Sequence, residues 1–205
     1  MIGVKLLICF IFSFLQMSVK TNGLLTMLLG VVVIVLLVIF VMPRGGHNDM
    51  DMWQMHLQEH ADMVTDEFSF LSLMIPHHQE AIDTARVVVS EAENEEVIFI
   101  AEDIITAQEE EIALMEEWLA TWYPERSYDD HGYMPMMRDL DEVSGMELER
   151  QWLEDMIMHH LGAVVMSEKL LTLDDIRDEV RELAIAIILT QNDEIDFMQA
   201  LLESL

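Results

Sequence analysis

A chain of 205 residues has room for one domain of ordinary size plus a membrane segment. It is 52% apolar, yet 39 acidic residues against 10 basic ones leave a net charge of -29, so apolar and acidic residues must be segregated along it. That charge repels phosphate and excludes nucleic acid as a partner, and a single cysteine, Cys9, excludes both a disulfide framework and a thiolate metal site.

The first 42 residues contain Lys5 and Lys20 and no acid. The run Leu24 to Met42, "LLTMLLGVVVIVLLVIFVM", is uncharged, long enough to cross a bilayer and too long for the apolar core of a cleaved signal peptide. An earlier run, Leu6 to Met17, is shorter and interrupted by Ser13 and Gln16. If both runs span, the soluble part returns to the side of the N-terminus. If only the second spans, Lys20 stays in the cytoplasm and the soluble part faces outward. Met17 opens "MSVKTNGLLTMLLG", a short basic lead and an anchor that reads as a start of its own, and this favours the single span. Residues 1–43 are therefore expected to be an N-terminal membrane segment with its main span at 24–42, which places the remaining domain in the periplasm or outside the cell.

Residues 44–63 form a Met/His-rich juxtamembrane arm, "HNDMDMWQMHLQEHADM", with His47, Met50, Met52, Met55, His56, His60 and Met63. From residue 64 apolar positions recur at helical spacing. The pattern predicts a first helix at about Thr65 to Ala92, opened by "TDEF", and a second at about Glu95 to Ala120 with Asn94 as its N-cap. A loop, 121–144, carries "YDDHGYMPMM". Ser144-Gly-Met-Glu147 has the form of a capping box and predicts a third helix from there to about Leu171. A fourth helix follows Asp174 and runs nearly to the end.

The two halves repeat. A shift of 82 lays Met74, Ile75, His77, His78 and Ala81 on Met156, Ile157, His159, His160 and Ala163. A shift of 83 lays Gln108, Glu111, Ile112 and Met115 on Gln191, Glu194, Ile195 and Met198. Two hairpins of one design, 64–120 and 145–203, predict an all-α, pseudo-twofold four-helix bundle over residues 64–205 behind the N-terminal transmembrane helix.

The second helix has a heptad seam of Val97, Ala101, Ile104, Gln108, Glu111, Met115 and Trp118, and the fourth repeats it as Val180, Ala184, Ile187, Gln191, Glu194, Met198 and Leu201. A carboxylate in an apolar seam is costly unless it is paired or bound to something. With an antiparallel turn near residue 93, His78 falls opposite Gln108 and Met74 opposite Glu111. In the second half His160 falls opposite Gln191 and Met156 opposite Glu194. Doublet, thioether and carboxylate thus share one layer. A single buried His–Glu pair is more often a structural hydrogen bond than a metal site, and a duplicated hairpin inherits either.

The methionines add the other half of the case. Of 18, all but Met1, Met17, Met27 and Met42 follow the apolar run. Met115 and Met198 fit a core, as methionine fills gaps well. Met50, Met52 and Met55 in the arm, and His131, Met134, Met136 and Met137 in a polar loop, are not explained by packing. Thioether and imidazole together suit Cu(I), and Cu(II) can use the imidazoles.

"FLSLMIPHHQEAIDTA", "AEDIITAQEEEIALM", "GYMPMM" leading into "SGMELERQWLEDMIMHHLGAVVMS", and the second Q-x-x-E-I-x-x-M resemble the domain-of-unknown-function family number 305 over residues 60 to 203. The resemblance implies a ferritin-like four-helix bundle, export or membrane anchoring, and a copper-binding, metallochaperone or copper-tolerance role. It also implies that His77, His78, His159, His160 and the surrounding methionines are the metal-associated residues. Glu80 and Leu161 depart from the family's motifs. Three functions compete. The first is an outward-facing protein that buffers Cu(I) or passes it to a transport or acceptor protein, with no chemistry of its own. The second is a sensory or interaction bundle whose polar layer only sets register. The third is a di-iron or di-manganese oxidase, which needs Glu-x-x-His on two helices, where this chain has Met74 and Met156 in place of the acids.

Overall fold

The computed structural model describes residues 47–127 and 133–205, with side chains from Trp53 onward. Among the described residues there are five helices and no strands: α1 (His47–Met63), α2 (Glu67–Glu91), α3 (Glu95–Trp122), α4 (Met146–Leu171) and α5 (Asp178–Ser204). The expected membrane segment, with its span at 24–42 and the start at Met17, lies outside the described residues, as does His131. No described helix is long and apolar enough to cross a membrane. The bundle lies within the compact unit Asp51–Leu205.

The arm, to which the sequence pattern assigned no regular structure, is the helix α1. Helix α2 opens on a reciprocal capping box in which Asp66 Oδ1 accepts from Ser69 N at 2.7 Å and Ser69 Oγ accepts from Asp66 N at 2.9 Å. Pro76 stands inside this helix, where it can donate no bond to the carbonyl four residues back. Asn94 caps α3 as expected, accepting from Glu96 N and Val97 N. The turn between α2 and α3 is pinned from α4, where the buried Glu149 carboxylate accepts from Glu93 N and Asn94 N, both at 2.8 Å.

The expected Ser144–Glu147 capping box does not form. Gly145 is the N-cap of α4, with φ at +57° and no side-chain cap bond. That left-handed turn, natural to glycine, moves the cap one residue past Ser144. Helix α5 likewise starts at Asp178, later than Asp174 suggested, with Arg177 as N-cap.

Helix α2 packs along α3 and α4 along α5, α2 also meets α4, and the α3–α5 contact is slighter. Outside its polar layer the interior they enclose is apolar, with Phe70, Leu71, Met74, Met115, Met166 and Leu170 fully buried. Burying each such side chain is worth about 1.5–3 kcal/mol. One end is clasped by Glu67, which accepts from the Tyr123 hydroxyl at 2.6 Å, from Arg177 N at 2.7 Å and from the Arg177 guanidinium. Arg177 also lies over Trp122 and Arg126 over Phe68. Neighbouring starts and ends of α2, α3 and α5 are thereby held together, which fixes the level of the helices at the polar layer.

Candidate metal centre

Four fully buried imidazoles run through the bundle in a row: His78 and His77 on α2, then His159 and His160 on α4. Ring centroids are 6.2 Å apart within the first doublet, 3.7 Å between His77 and His159, and 6.4 Å within the second doublet. Consecutive helical residues point about 100° apart. One histidine of each doublet therefore faces its own hairpin partner while the other faces the opposite hairpin.

The outer pair meet carboxylates. His78 Nε2 lies 2.7 Å from Glu111 Oε2, and His160 Nε2 lies 2.8 Å from Glu194 Oε2. This corrects the expected register, which set His78 against Gln108 and His160 against Gln191. Helical side chains lean toward their own N-terminus. In an antiparallel hairpin that tilts the histidine away from the turn and the glutamate toward it, so each histidine reaches a carboxylate three residues further on. Gln108 and Gln191 remain buried one turn away. Among the described residues neither amide atom of Gln108 and not the Gln191 oxygen finds a hydrogen-bond partner.

The inner pair meet a loop. Glu80, one turn beyond His77, sends its carboxylate to the segment 133–137, where it accepts from the Tyr133 hydroxyl, from Met136 N at 3.0 Å and from Met137 N at 3.1 Å. Its Oε2 also lies 3.4 Å from His159 Nε2, too long for a good hydrogen bond but close enough for charge attraction. Met136 is thereby buried and Met134 and Met137 half-buried, which corrects the expectation that packing does not explain them. From α1, the buried His60 sets its ring 6.0 Å from His77 and 5.8 Å from Tyr133.

The two halves differ here. Gly162 occupies the place in α4 that Glu80 holds in α2. A Cβ on Gly162 would come within 2.9 Å of both His77 Nε2 and Met136 Sδ, so only a bare backbone admits that approach.

Burial holds the His77 imidazolium far out of reach, with His159 and His78 adding repulsion. Burial lowers His159 as well, to about 4, despite the pull of Glu80 in the other direction. His60 is also lowered, by burial and then by His56. For Glu80 burial would raise the carboxyl, but His159, Tyr133 and the Met136 N–H overrule it and hold it at about 2. Tyr133 is pushed up by burial and by Glu80. The centre thus presents neutral imidazoles beside one carboxylate.

Of the other residues singled out in the sequence, Met74, Met156, Met115 and Met198 are fully buried core. Met55 is exposed and His56 half-buried. Met50 and Met52 belong to α1 at positions whose side chains are not described. Periodicity missed Glu80, Tyr133 and Gly162. The one available signal was an acid standing where the second motif has glycine.

Can these residues hold a metal? Among the described residues no three His, Cys, Asp or Glu groups converge on one metal-sized site. Both ring nitrogens of His77 and His159, Nδ1 of His78 and His160, and Nε2 of His60 are nevertheless buried without a hydrogen-bond partner among them. Orphaned buried nitrogens beside the Met136 thioether fit a soft cation.

Comparison with known proteins places this geometry. A family model described as "Domain of unknown function (DUF305)" matches residues 67–202. CopM in its Cu(II)-bound form is 33% identical, covering 69% of this chain and 99% of that one at a TM-score of 0.62. CopM in its Cu(I)-bound form is 33% identical over 67% of this chain and 96% of that one, at 0.60. A DUF305 fragment from Deinococcus radiodurans is 34% identical over 68% of this chain and 96% of that one, at 0.58. None of the curated proteins compared matches. The chain, by the motifs it carries and the span over which it matches, belongs to the DUF305 family.

Proposed function

We propose that this protein binds copper, chiefly Cu(I), and buffers it or hands it on, without chemistry of its own. The observation that carries the reading is the row of four buried imidazoles, the inner two bearing ring nitrogens that make no hydrogen bond among the described residues. An unsatisfied buried polar group costs roughly 1–3 kcal/mol. A bound cation offsets that cost, and the neutral state of His77 and His159 means no proton has to be displaced first. Similarity to CopM, of which Cu(I)- and Cu(II)-bound forms are known, supports copper as the ion.

In this reading His77, His78, His159 and His160 supply nitrogen and Met136 supplies sulfur beside His77, with Met74 and Met156 one helical turn before the doublets as further thioethers. Glu111 and Glu194 orient the outer rings, as carboxylates do behind metal-bound histidine. The two hairpins are copies of one unit in a ferritin-like bundle. The apolar run 24–42 anchors the chain in the cell membrane with Lys20 inside, so that the acidic domain faces outward and Met50, Met52, Met55, His56, His60, His131, Met134 and Met137 collect the ion. Thioether and imidazole, without thiolate, bind reversibly enough for transfer to an acceptor protein.

The second reading, a sensory or interaction bundle, draws on one observation. His78–Glu111 and His160–Glu194 are hydrogen-bonded pairs of the kind a structural polar layer uses. Elemental analysis of the full-length chain after exposure to mixed metals, with and without reductant, separates the two. We expect more than one copper per chain under reductant. Changing all four core histidines to Ala should remove the bundle-associated copper and leave part of the remainder. Full retention by that variant makes the doublets structural. A C-terminal reporter active only in the cytoplasm would overturn the topology.

A further inference from the structure

We propose that Glu80 is a positioning residue that builds one asymmetric soft-cation site, with His77 Nε2 and Met136 Sδ as its core donors. The inference rests on the copper reading and adds which donors act first and what holds them. Glu80 gathers the Tyr133 hydroxyl and the Met136 and Met137 N–H groups onto one carboxylate. The loop segment 133–137 is thereby fixed against α2, and its residue Met136 is buried to 3% exposure. The backbone of Met136 binds Glu80, which leaves its thioether free for another contact.

That thioether goes to Gly162. Met136 Sδ and His77 Nε2 each lie 2.9 Å from the point where a Cβ of residue 162 would stand, so they are at most twice that distance apart. An ion bridging imidazole nitrogen and sulfur needs roughly 4 Å between them, from metal–ligand lengths usual for d10 ions. His77 is fully buried and both its nitrogens lack a partner among the described residues. His60 Nε2, also buried and unpartnered, borders the same ring. Since no three His, Cys, Asp or Glu groups converge among the described residues, sulfur supplies what the harder donors do not. His159 lies against the His77 ring at a 41° tilt, beside the Glu80 charge. The two inner histidines thus have different surroundings, and the ion class that the imidazole–thioether pair suits is a soft monovalent cation, Cu(I) or Ag(I), over Zn(II).

The test uses the full-length chain labelled with methyl-13C methionine and titrated with Ag(I), a diamagnetic stand-in for Cu(I). One methyl resonance, absent from Met136→Leu, should move within the first equivalent. Met136→Leu keeps the backbone bonds to Glu80, and Gly162→Ala intrudes on both donors. Each should weaken the first Ag(I) or Cu(I) equivalent at least about tenfold, as should Glu80→Ala. Zn(II) affinity should be nearly unchanged in Met136→Leu. Loss of fold in Glu80→Ala, read from circular dichroism, leaves the other two variants to decide. If the Met136 methyl stays silent and Met136→Leu binds as the parent does, while the quadruple histidine variant loses its copper, Glu80 serves only the loop and this inference falls alone. If the quadruple histidine variant keeps all its copper, the copper reading falls with it.

Discussion

Two imidazoles depressed by burial, His77 and His159, and the Glu80 carboxylate held at about 2 make the interior of this protein sensitive to acid. His77 and His159 are depressed in the folded state, so the unfolded chain takes up their protons first as pH falls below about 6.5. Their contribution to stability is complete above that value and drains away below it, in the case of His159 down to about 4. Glu80 follows, losing its contribution between about 4.5 and 2. We expect urea midpoints of the metal-free protein to drop from pH 7 to pH 4.5, and to drop less in a His77→Gln variant. Glu194 is more enclosed than Glu111, with side-chain exposures of 10% and 21%. Glu194→Gln should therefore cost more than Glu111→Gln, about 1–3 kcal/mol in denaturant melts. The sequence made the doublets and both seam carboxylates legible, because a charge in a heptad seam stands out at helical period. Glu80 was not legible. Its partners Tyr133 and Met136 lie more than 50 positions away on a loop, where no period exists to follow.

Helix ends show which local rules are robust. Asp66 and Asn94 cap where their residue types predict, and Asp66→Ala should cost about 1 kcal/mol. Ser144 looks equally good on paper, yet Gly145 turns left-handed and takes the cap. Ser144→Ala should therefore leave the thermal midpoint within error of the parent, whereas the capping box of the sequence pattern would make it costly. Glu149→Ala should be worse than either cap, because it strips two backbone N–H groups at the α2–α3 turn of their acceptor. The pairing of each histidine with a carboxylate rather than the glutamine one turn nearer the hairpin end was open to derivation from sequence. Helical side chains lean a known way, and spacing alone ignores the lean.

For the whole molecule, a net charge of -29 on 205 residues is a standing repulsion that the apolar core must exceed. Raising salt from 10 mM to 0.5 M shortens the screening length several-fold. The metal-free protein should accordingly gain thermal stability, the reverse of what a fold dependent on surface ion pairs would show. All-helical architecture was legible from apolar period and from the near absence of proline. The place of α1 was not, since its sequence is more polar than those of the bundle helices and its buried His60 is recruited by the His77–Tyr133 corner.

The inner histidines also set an order of events. His77 and His159 are 82 positions apart, whereas α2 and α3 are joined by residues 92–94 alone. Local hairpins close quickly and distant contacts close late. The imidazole row then exists only once the two hairpins have docked, and an ion held there is bound after the rate-limiting encounter. Such an ion should act as a brake on undocking. Stopped-flow mixing should find the unfolding rate of the Ag(I)-loaded chain reduced manyfold while its refolding rate matches that of the metal-free chain.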